Sequence, residues 1–481
     1  MSLLSLHLCL PLAGIILLIY IRSNKGLYIT HLLISFFSFL IAIKIFLEKD
    51  FYLQYSLNIF NIIPNISISF SIDGLGIIFL LVSNFLWLMT TIYSERYLSL
   101  NGFNNKSKFY IFFTLAMFST NAIIYSSNLF TAFVFYEFLT LSTYPLVTFK
   151  KDEQSIKNGK KYLYYLLGTS IIFLLPAIIL TFNLTGSLEY KIGGIFTENV
   201  NPLMINILIL LFIFGVAKSA IMPFHRWLPA AMIAPTPVSA LLHAVAVVKS
   251  GVYIMMKIIL YIFGAQLLQD TGSDLILIFL SSITILFASI MALRQDNIKL
   301  ILAYSTISQL SYIILAVSVL APLSVLAATL HLIFHALGKI ILFLSAGLIT
   351  TCTKIKNVSE MHGLSSKTPF AIFLIMLGAF IMIGIPPTIG FFSKWYLLLG
   401  VVQSENFYIL LVLILSTLLN AGYYFPIIYK SYFSRADVQS NGDMKEDFLL
   451  LLPVLIIGIV TILLFFGLES IMNFIQAYII K

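Results

Sequence analysis

Along nearly the whole chain, apolar runs of about twenty residues alternate with short polar breaks, and about twenty apolar residues is the length a helix needs to cross a bilayer core. Reading for runs of that length predicts fourteen spans: 3–21, 27–47, 74–94, 109–127, 129–149, 162–184, 203–222, 237–261, 275–293, 298–320, 323–351, 370–400, 406–430 and 449–468. The longest polar stretches, around 48–72 and 431–448, are too short to bury a core of their own. The expected fold is therefore all-α and polytopic, with no inserted soluble domain.

Composition agrees with that pattern. With 60% hydrophobic and 10% charged residues over 481 positions, and a mean hydropathy of +1.03, there is too little polar surface to cover a soluble protein. The net charge of +9 reads as loop asymmetry rather than as a nucleic-acid surface. Arg22 and Lys25, Lys106 and Lys108, the run Lys150 to Lys161, Arg294 and Lys299, and Lys354 to Lys367 all fall in odd-numbered loops. By the positive-inside rule those loops are cytoplasmic and both termini lie outside. No basic residue precedes the apolar run from Leu3, and no small-residue cleavage site follows Tyr20, so a retained first helix is expected. Cys9 and Cys352 are far apart and make neither a disulfide framework nor an iron–sulfur site. With no nucleotide loop and no redox or metal motif, no cofactor and no metal is expected, and the energy for any work must come from an ion gradient or a partner.

Five charges nevertheless sit deep inside the apolar runs: Glu137, Lys218, Lys249, Lys339 and Lys394. An ionisable group at membrane depth is expensive and usually marks an ion or proton path. All four cations are Lys, which can give up a proton, and none is Arg, which essentially cannot. The plain alternatives are a helix-locking ion pair for Glu137 and capping of broken helices for Lys218 and Lys394; Lys249 has no evident partner. Pro223 follows Lys218 and frees the carbonyl of Ser219, while Pro386 and Pro387 interrupt span twelve before Gly390 to Lys394. Broken helices at this depth are tolerated where they line protein or a watered cavity. Each break is the fourth helix of a five-span set, spans four to eight and nine to thirteen, and an odd number would leave the two sets inverted. That divides the chain into 1–108, 109–262, 263–435 and 436–481.

His331, His335 and Lys339 recur at i, i+4 and i+8, one helix face over about 12 Å. The spacing lacks the His-Glu-x-x-His arrangement of metalloproteases, and two His one turn apart cannot take opposite faces of one haem iron. Proton relay is the expected role, against inter-helix hydrogen bonding. His225, His243 and Tyr136 are expected to be packing or interface groups, and Asp73 to be solvated at the outer surface.

The run Phe135-Tyr136-Glu137-Phe138-Leu139-Thr140-Leu141-Ser142-Thr143-Tyr144-Pro145, Lys218 through Pro237 with Val238 to His243, His331 through Lys339, and Gly390 to Lys394 follow one another in order. Together they resemble the antiporter-like proton-translocating subunits shared by respiratory complex I and the multisubunit Mrp cation/proton antiporters. The resemblance implies that Glu137 pairs with Lys218, that Lys249 is the central lysine and Lys394 the terminal one, and that His331, His335 and Lys339 connect them. It implies other membrane subunits as partners and a bacterial inner membrane as the location. The absence after span fourteen of a long lateral helix speaks against an L-type complex I subunit, and Lys394, where an M-type subunit typically has a carboxylate, against that type; Glu137, a lysine in each of spans seven, eight and twelve, and the run Tyr136 to Pro145 look most like the D-type member of the Mrp antiporter, moving Na⁺ or K⁺ against protons. An M- or N-type complex I subunit is the alternative. From other classes, a haem or quinone enzyme and a structural scaffold subunit remain to be distinguished.

Overall fold

A computed structural model describes residues 3–103, 105–197, 200–434 and 446–480, except the side chain of His243. Helices dominate, because a chain this apolar can satisfy its own peptide groups at membrane depth only within helices. Eleven of the described helices are long and apolar enough to cross a membrane, or twelve if the pair Val247–Phe263 and Ala265–Thr271, bent by 81°, forms one span. The expected spans seven and twelve are broken: Pro202–Gly215 stands for the first, and Pro369–Ile383 and Ile389–Gln403 for the second, each too short to be counted with the others.

Local chemistry sets several boundaries that hydropathy misplaces. Asp152 caps the sixth helix, its Oδ1 accepting from Ser155 N at 2.6 Å, so helix begins at Glu153, nine residues before the apolar run. A five-residue π-stretch, Ser170–Leu174, interrupts that helix. After the last long span, Phe448–Phe466, a further helix Leu468–Tyr478 follows, and Tyr478 donates to Asp50 at 2.8 Å.

The polar stretch 48–72 departs from the all-α expectation. It forms a two-stranded antiparallel hairpin, β1 (Ser56–Ile63) and β2 (Ile66–Ser71). Alternating Ser, Ile and Phe suit a strand with one buried face, and β2 packs on the start of the helix Leu129–Val147. There Thr131 Oγ1 accepts from Ser69 N at 3.2 Å, and Asn128 donates to the carbonyl of Ser67 at 3.0 Å.

At the centre lies Pro322–Thr353, a 32-residue helix whose membrane-crossing window is entirely buried. It packs against Gly74–Leu100, Ile298–Ser318, both halves of the broken span twelve, and Phe448–Phe466. A helix apolar all round is expected in such a core. The polar groups it carries there are therefore enclosed by protein, not lipid.

Candidate proton path

The break after Gly215 puts Lys218 in a tight turn, Ala217–Ser219, held by Trp227 Nε1 donating to the Ala217 carbonyl at 2.9 Å. Its ammonium does not cap its own broken helix or reach Ser219. It crosses to the helix Leu129–Val147, donating to the Tyr136 carbonyl and to Thr140 Oγ1, both at 2.6 Å, and lies 3.2 Å from the centre of the Tyr136 ring. The Tyr136 hydroxyl closes the contact by accepting from Lys218 N at 3.1 Å. Tyr136 is thus more than the packing group expected from sequence: it is a principal ligand of the lysine through carbonyl, ring and hydroxyl.

Glu137 is adjacent to that cradle yet forms no ion pair with Lys218, and among the described residues neither carboxylate oxygen has a hydrogen-bond partner. The polar groups that bear on it are the Lys218 ammonium and the Ser170 hydroxyl, and Ser170 donates instead to the Leu167 carbonyl at 3.0 Å. Ser170 opens the π-stretch of its helix, a kind of distortion frequent at functional sites. The turn bearing Lys218 packs directly on Gly251: a Cβ there would collide with the Lys218 carbonyl carbon and the Ser219 nitrogen. Gly251 lies two residues beyond Lys249, so the two lysines are set by one close approach of backbones.

Lys249 does find a partner. Its ammonium donates to the Leu332 carbonyl at 2.9 Å, on the central helix between His331 and His335. The two imidazoles stand 6.0 Å apart. His331 Nδ1 is hydrogen-bonded to Ser393 Oγ at 2.9 Å, one residue before Lys394, and its ring stacks on Tyr312 at 5.7 Å. Tyr312 also underlies the Lys394 ammonium, 5.1 Å from its ring centre. Lys394 donates to the Ile383 carbonyl at 2.8 Å, the last turn of the preceding half-helix. This lysine does cap the break made by Pro386 and Pro387. It also faces a cavity of about 250 Å³ whose lining includes Tyr312, Leu413 and Thr417, with the exposed Ile414 and Leu418 at its rim.

Lys339 lies two turns beyond His331 and is held by the Leu302 carbonyl at 3.1 Å, Ser305 Oγ at 2.8 Å and the Tyr424 hydroxyl at 3.2 Å. His331 makes a hydrogen bond to span twelve, whereas the hydrogen bonds of Lys339 go to the helices Ile298–Ser318 and Phe407–Phe433. Leu302, Ser305, Gln309 and Tyr312 recur at helical spacing on Ile298–Ser318 and share a face. Gln309 stands on that face between the Lys339 cluster and the tyrosine beneath Lys394. It is fully buried, with neither amide atom hydrogen-bonded among the described residues. An amide in mid-span is visible in the sequence, but a search for intramembrane charge does not find it.

Asp73, expected to be solvated at the outer surface, keeps a side chain 25% exposed but is not free. It caps Gly74–Leu100 by accepting from Gly76 N at 2.7 Å and pairs with Lys257 at 2.6 Å, a lysine whose side chain is 5% exposed among Tyr190, Tyr253 and Tyr261. Position along the chain puts Lys257 near a helix end, and its surroundings come from Asp73 and Tyr190, distant residues that local sequence does not announce. His225 is half-buried in the turn after Pro223. The side chain of His243 lies outside the described residues. Among the described residues no group of three His, Cys, Asp or Glu side chains could hold a metal ion.

Residues 126–420 match the family model described as NADH:quinone oxidoreductase/Mrp antiporter, TM. NADH-quinone oxidoreductase subunit N of Desulforudis audaxviator is 32% identical over 86% of this chain and 85% of its own length. A Staphylococcus haemolyticus protein named as antiporter subunit mnhA2 is 29% identical over 84% of the chain, which spans only 53% of that relative. Among solved structures, a subunit of the Mrp complex from a Dietzia species superposes with a TM-score of 0.83 at 20% identity, covering 98% of this chain and 95% of that one. A subunit of the membrane-bound sulfane sulfur reductase, an archaeal respiratory complex, gives 0.87 at 23% identity over 99% and 96%. At such identities the two structures speak for the fold. The family match spans every candidate residue from Glu137 to Lys394, and with it this multi-pass membrane chain belongs to the NADH:quinone oxidoreductase/Mrp antiporter transmembrane family.

Proposed function

We propose that the chain is the proton-conducting membrane subunit of a multisubunit monovalent cation (Na⁺ or K⁺)/proton antiporter, similar to the D-type member of the Mrp antiporter. The observation that carries this reading is the open pair at the start of the path: Lys218 is held by Tyr136 and Thr140 while the neighbouring Glu137 has no hydrogen bond. Two contacts for one ammonium make a two-state switch. When Glu137 swings to Lys218 its charge favours the ammonium; when it withdraws, the lysine gives its proton up. The line then runs from Lys249 to His331 and His335, with Lys394 reached through Ser393 and Tyr312, and Lys339 joined through Gln309. Glu137, Ser250, Gln309 and His331 all carry buried polar atoms without a hydrogen-bond partner among the described residues. Each would cost about 1–3 kcal/mol if dry, which favours water threading between them.

The same reading includes the fourteen spans, with broken helices seven and twelve, two inverted five-helix units, and the division 1–108, 109–262, 263–435 and 436–481. It places the chain in a bacterial inner membrane with both termini on the non-cytoplasmic side, among other membrane subunits. A second reading, an M- or N-type subunit of NADH:quinone oxidoreductase, is favoured by the subunit N relative matched over most of its length. Everted vesicles separate the two. With the partner subunits present, a respiration-generated pH gradient that Na⁺ or K⁺ dissipates supports the antiporter. Proton pumping that requires NADH and is indifferent to those cations supports the oxidoreductase. Transport unchanged after neutralising Glu137, Lys218, Lys249, Lys339 and Lys394 together would leave only a scaffold.

A further inference from the structure

At the face where the helices Gly74–Leu100, Leu129–Val147 and Pro322–Thr353 end and Ile298–Ser318 begins, a cavity of about 280 Å³ opens among Lys150, Lys299 and Lys356. It lies apart from the path through Lys249, and Asn101, Asn297 and Thr236 are among the remaining polar lining. No carboxylate is among its described lining residues. The acidic groups near it are engaged elsewhere: Asp152 caps its helix through Ser155, and Asp296 accepts from the amide and hydroxyl of Ser359.

Two of the three cations, Lys299 and Lys356, are held together by main chain. Ile298 N donates to the carbonyl of Lys356 at 3.0 Å, Val358 N donates to the carbonyl of Asp296 at 2.8 Å, and Asn297 and Asn357 bridge as short antiparallel strands. That clamp fixes the Lys356 segment against the first turn holding Lys299. The Lys299 ammonium is anchored by the Ala234 carbonyl at 3.1 Å. Lys150 follows Phe149, which packs on Phe103 and Phe109 with ring centres 5.7 Å away in both cases. Partial desolvation pushes the largely exposed Lys150 ammonium down from its ordinary value, Asp152 pulls it up, and Lys356 pushes it down again. Like charges fixed around a polar hollow repel one another until an anion enters.

We propose that this cavity binds a phosphate group, either on the headgroup of an anionic phospholipid or on a free phosphate-bearing solute. Three ammonium groups make point-charge contacts of the kind lysine gives to phosphate, and Asn101 and Thr236 add uncharged polar partners. A basic hollow between helix ends on the lysine-rich face is also where anionic headgroups sit in a bilayer.

The test uses the full chain in an uncharged detergent with radiolabelled inorganic phosphate, and in nanodiscs of phosphatidylglycerol or phosphatidylcholine analysed by native mass spectrometry. Two variants remove the site, Lys299→Gln and the double change Lys150→Gln with Lys356→Gln; the latter alters only exposed side chains and spares the Ala234 contact. Lys157→Gln with Lys160→Gln, two exposed lysines on the neighbouring helix, controls for surface charge. Saturable phosphate binding that weakens tenfold or more in the double variant, but not in the control, supports a free-phosphate site. Retention of phosphatidylglycerol by the wild type and its loss in the double variant, without phosphate binding, supports a lipid site. Equal behaviour of wild type and double variant towards both probes, no binding of either probe, or an equal loss in the control would overturn the proposal.

Discussion

Lys218 donates its ammonium to the Tyr136 carbonyl at 2.6 Å, while Glu137, the next residue on that helix, keeps both carboxylate oxygens free of hydrogen bonds. Replacing Glu137 by Gln therefore breaks no bond of this state and removes only the charge that the lysine needs in the other. We expect Glu137→Gln to assemble normally, with a stability change under about 1 kcal/mol, and to lose ion translocation in everted vesicles. Normal cation-dependent proton movement in that variant would sink the switch.

Lys249 donates to one carbonyl, that of Leu332, and has no carboxylate beside it among the described residues. Lys249→Arg keeps the charge but not the ability to release a proton. It should be nearly as inactive as Lys249→Ala when initial rates of proton uptake are compared. Free substitution by Arg would make Lys249 a fixed charge.

Gly251 allows the main chain at Lys218 to approach a neighbouring helix more closely than any Cβ permits. Gly251→Ala must displace backbone rather than the end of a side chain. A loss of roughly 1–3 kcal/mol is expected from such overpacking, together with at least tenfold slower transport. Thermal unfolding and vesicle transport read the two effects separately, and wild-type transport would show that the turn's position is unimportant.

Gln309 gives opposite signs for stability and function. Leucine at this position removes a buried amide that has no partner and should leave stability equal or raise it by about 1 kcal/mol. Transport should fall, because the polar step between Lys339 and Tyr312 is gone. Full transport by Gln309→Leu would assign the amide no part in the path.

Asp73→Asn leaves Lys257 buried without its counter-charge. Breaking a fully buried pair costs more, but Asp73 is 25% exposed on its side chain, so a loss of about 2 kcal/mol is expected. Adding Lys257→Met should restore most of the melting temperature. Because the pair lies off the path, surviving protein should still transport; a loss of transport with unchanged stability would place Lys257 in the path instead.

Depth and helix breaks are legible in the sequence because each depends on a single residue in its local window. Lysine or glutamate in twenty apolar positions is conspicuous, and so is Pro386-Pro387. Contacts between distant segments are not legible in this way. Nothing near Lys249 in sequence announces the Leu332 carbonyl, and nothing near Asp73 announces Lys257, 184 positions away. Tyr136 and Gln309 escape a reading based on hydropathy because a ring or an amide counts there as ordinary packing, although both carry hydrogen-bonding or π-face capacity. The segment 56–71 is too short for a core of its own, yet its two strands can lean on an existing helix end.

That hairpin has a mechanical consequence. Ser69 and Ser67 fasten the N-terminal end of the Glu137 helix at Thr131 and Asn128. With that end bolted, a helix movement that adds to the swing of the Glu137 side chain towards Lys218 is a pivot about Asn128 rather than a slide along the helix axis. Nine residues of helix give a lever arm of about 13.5 Å, so a tilt of about 10° would carry Glu137 through about 2 Å. A partner subunit pressing on the exposed Phe138 and Leu141 would push on that arm close to its working point.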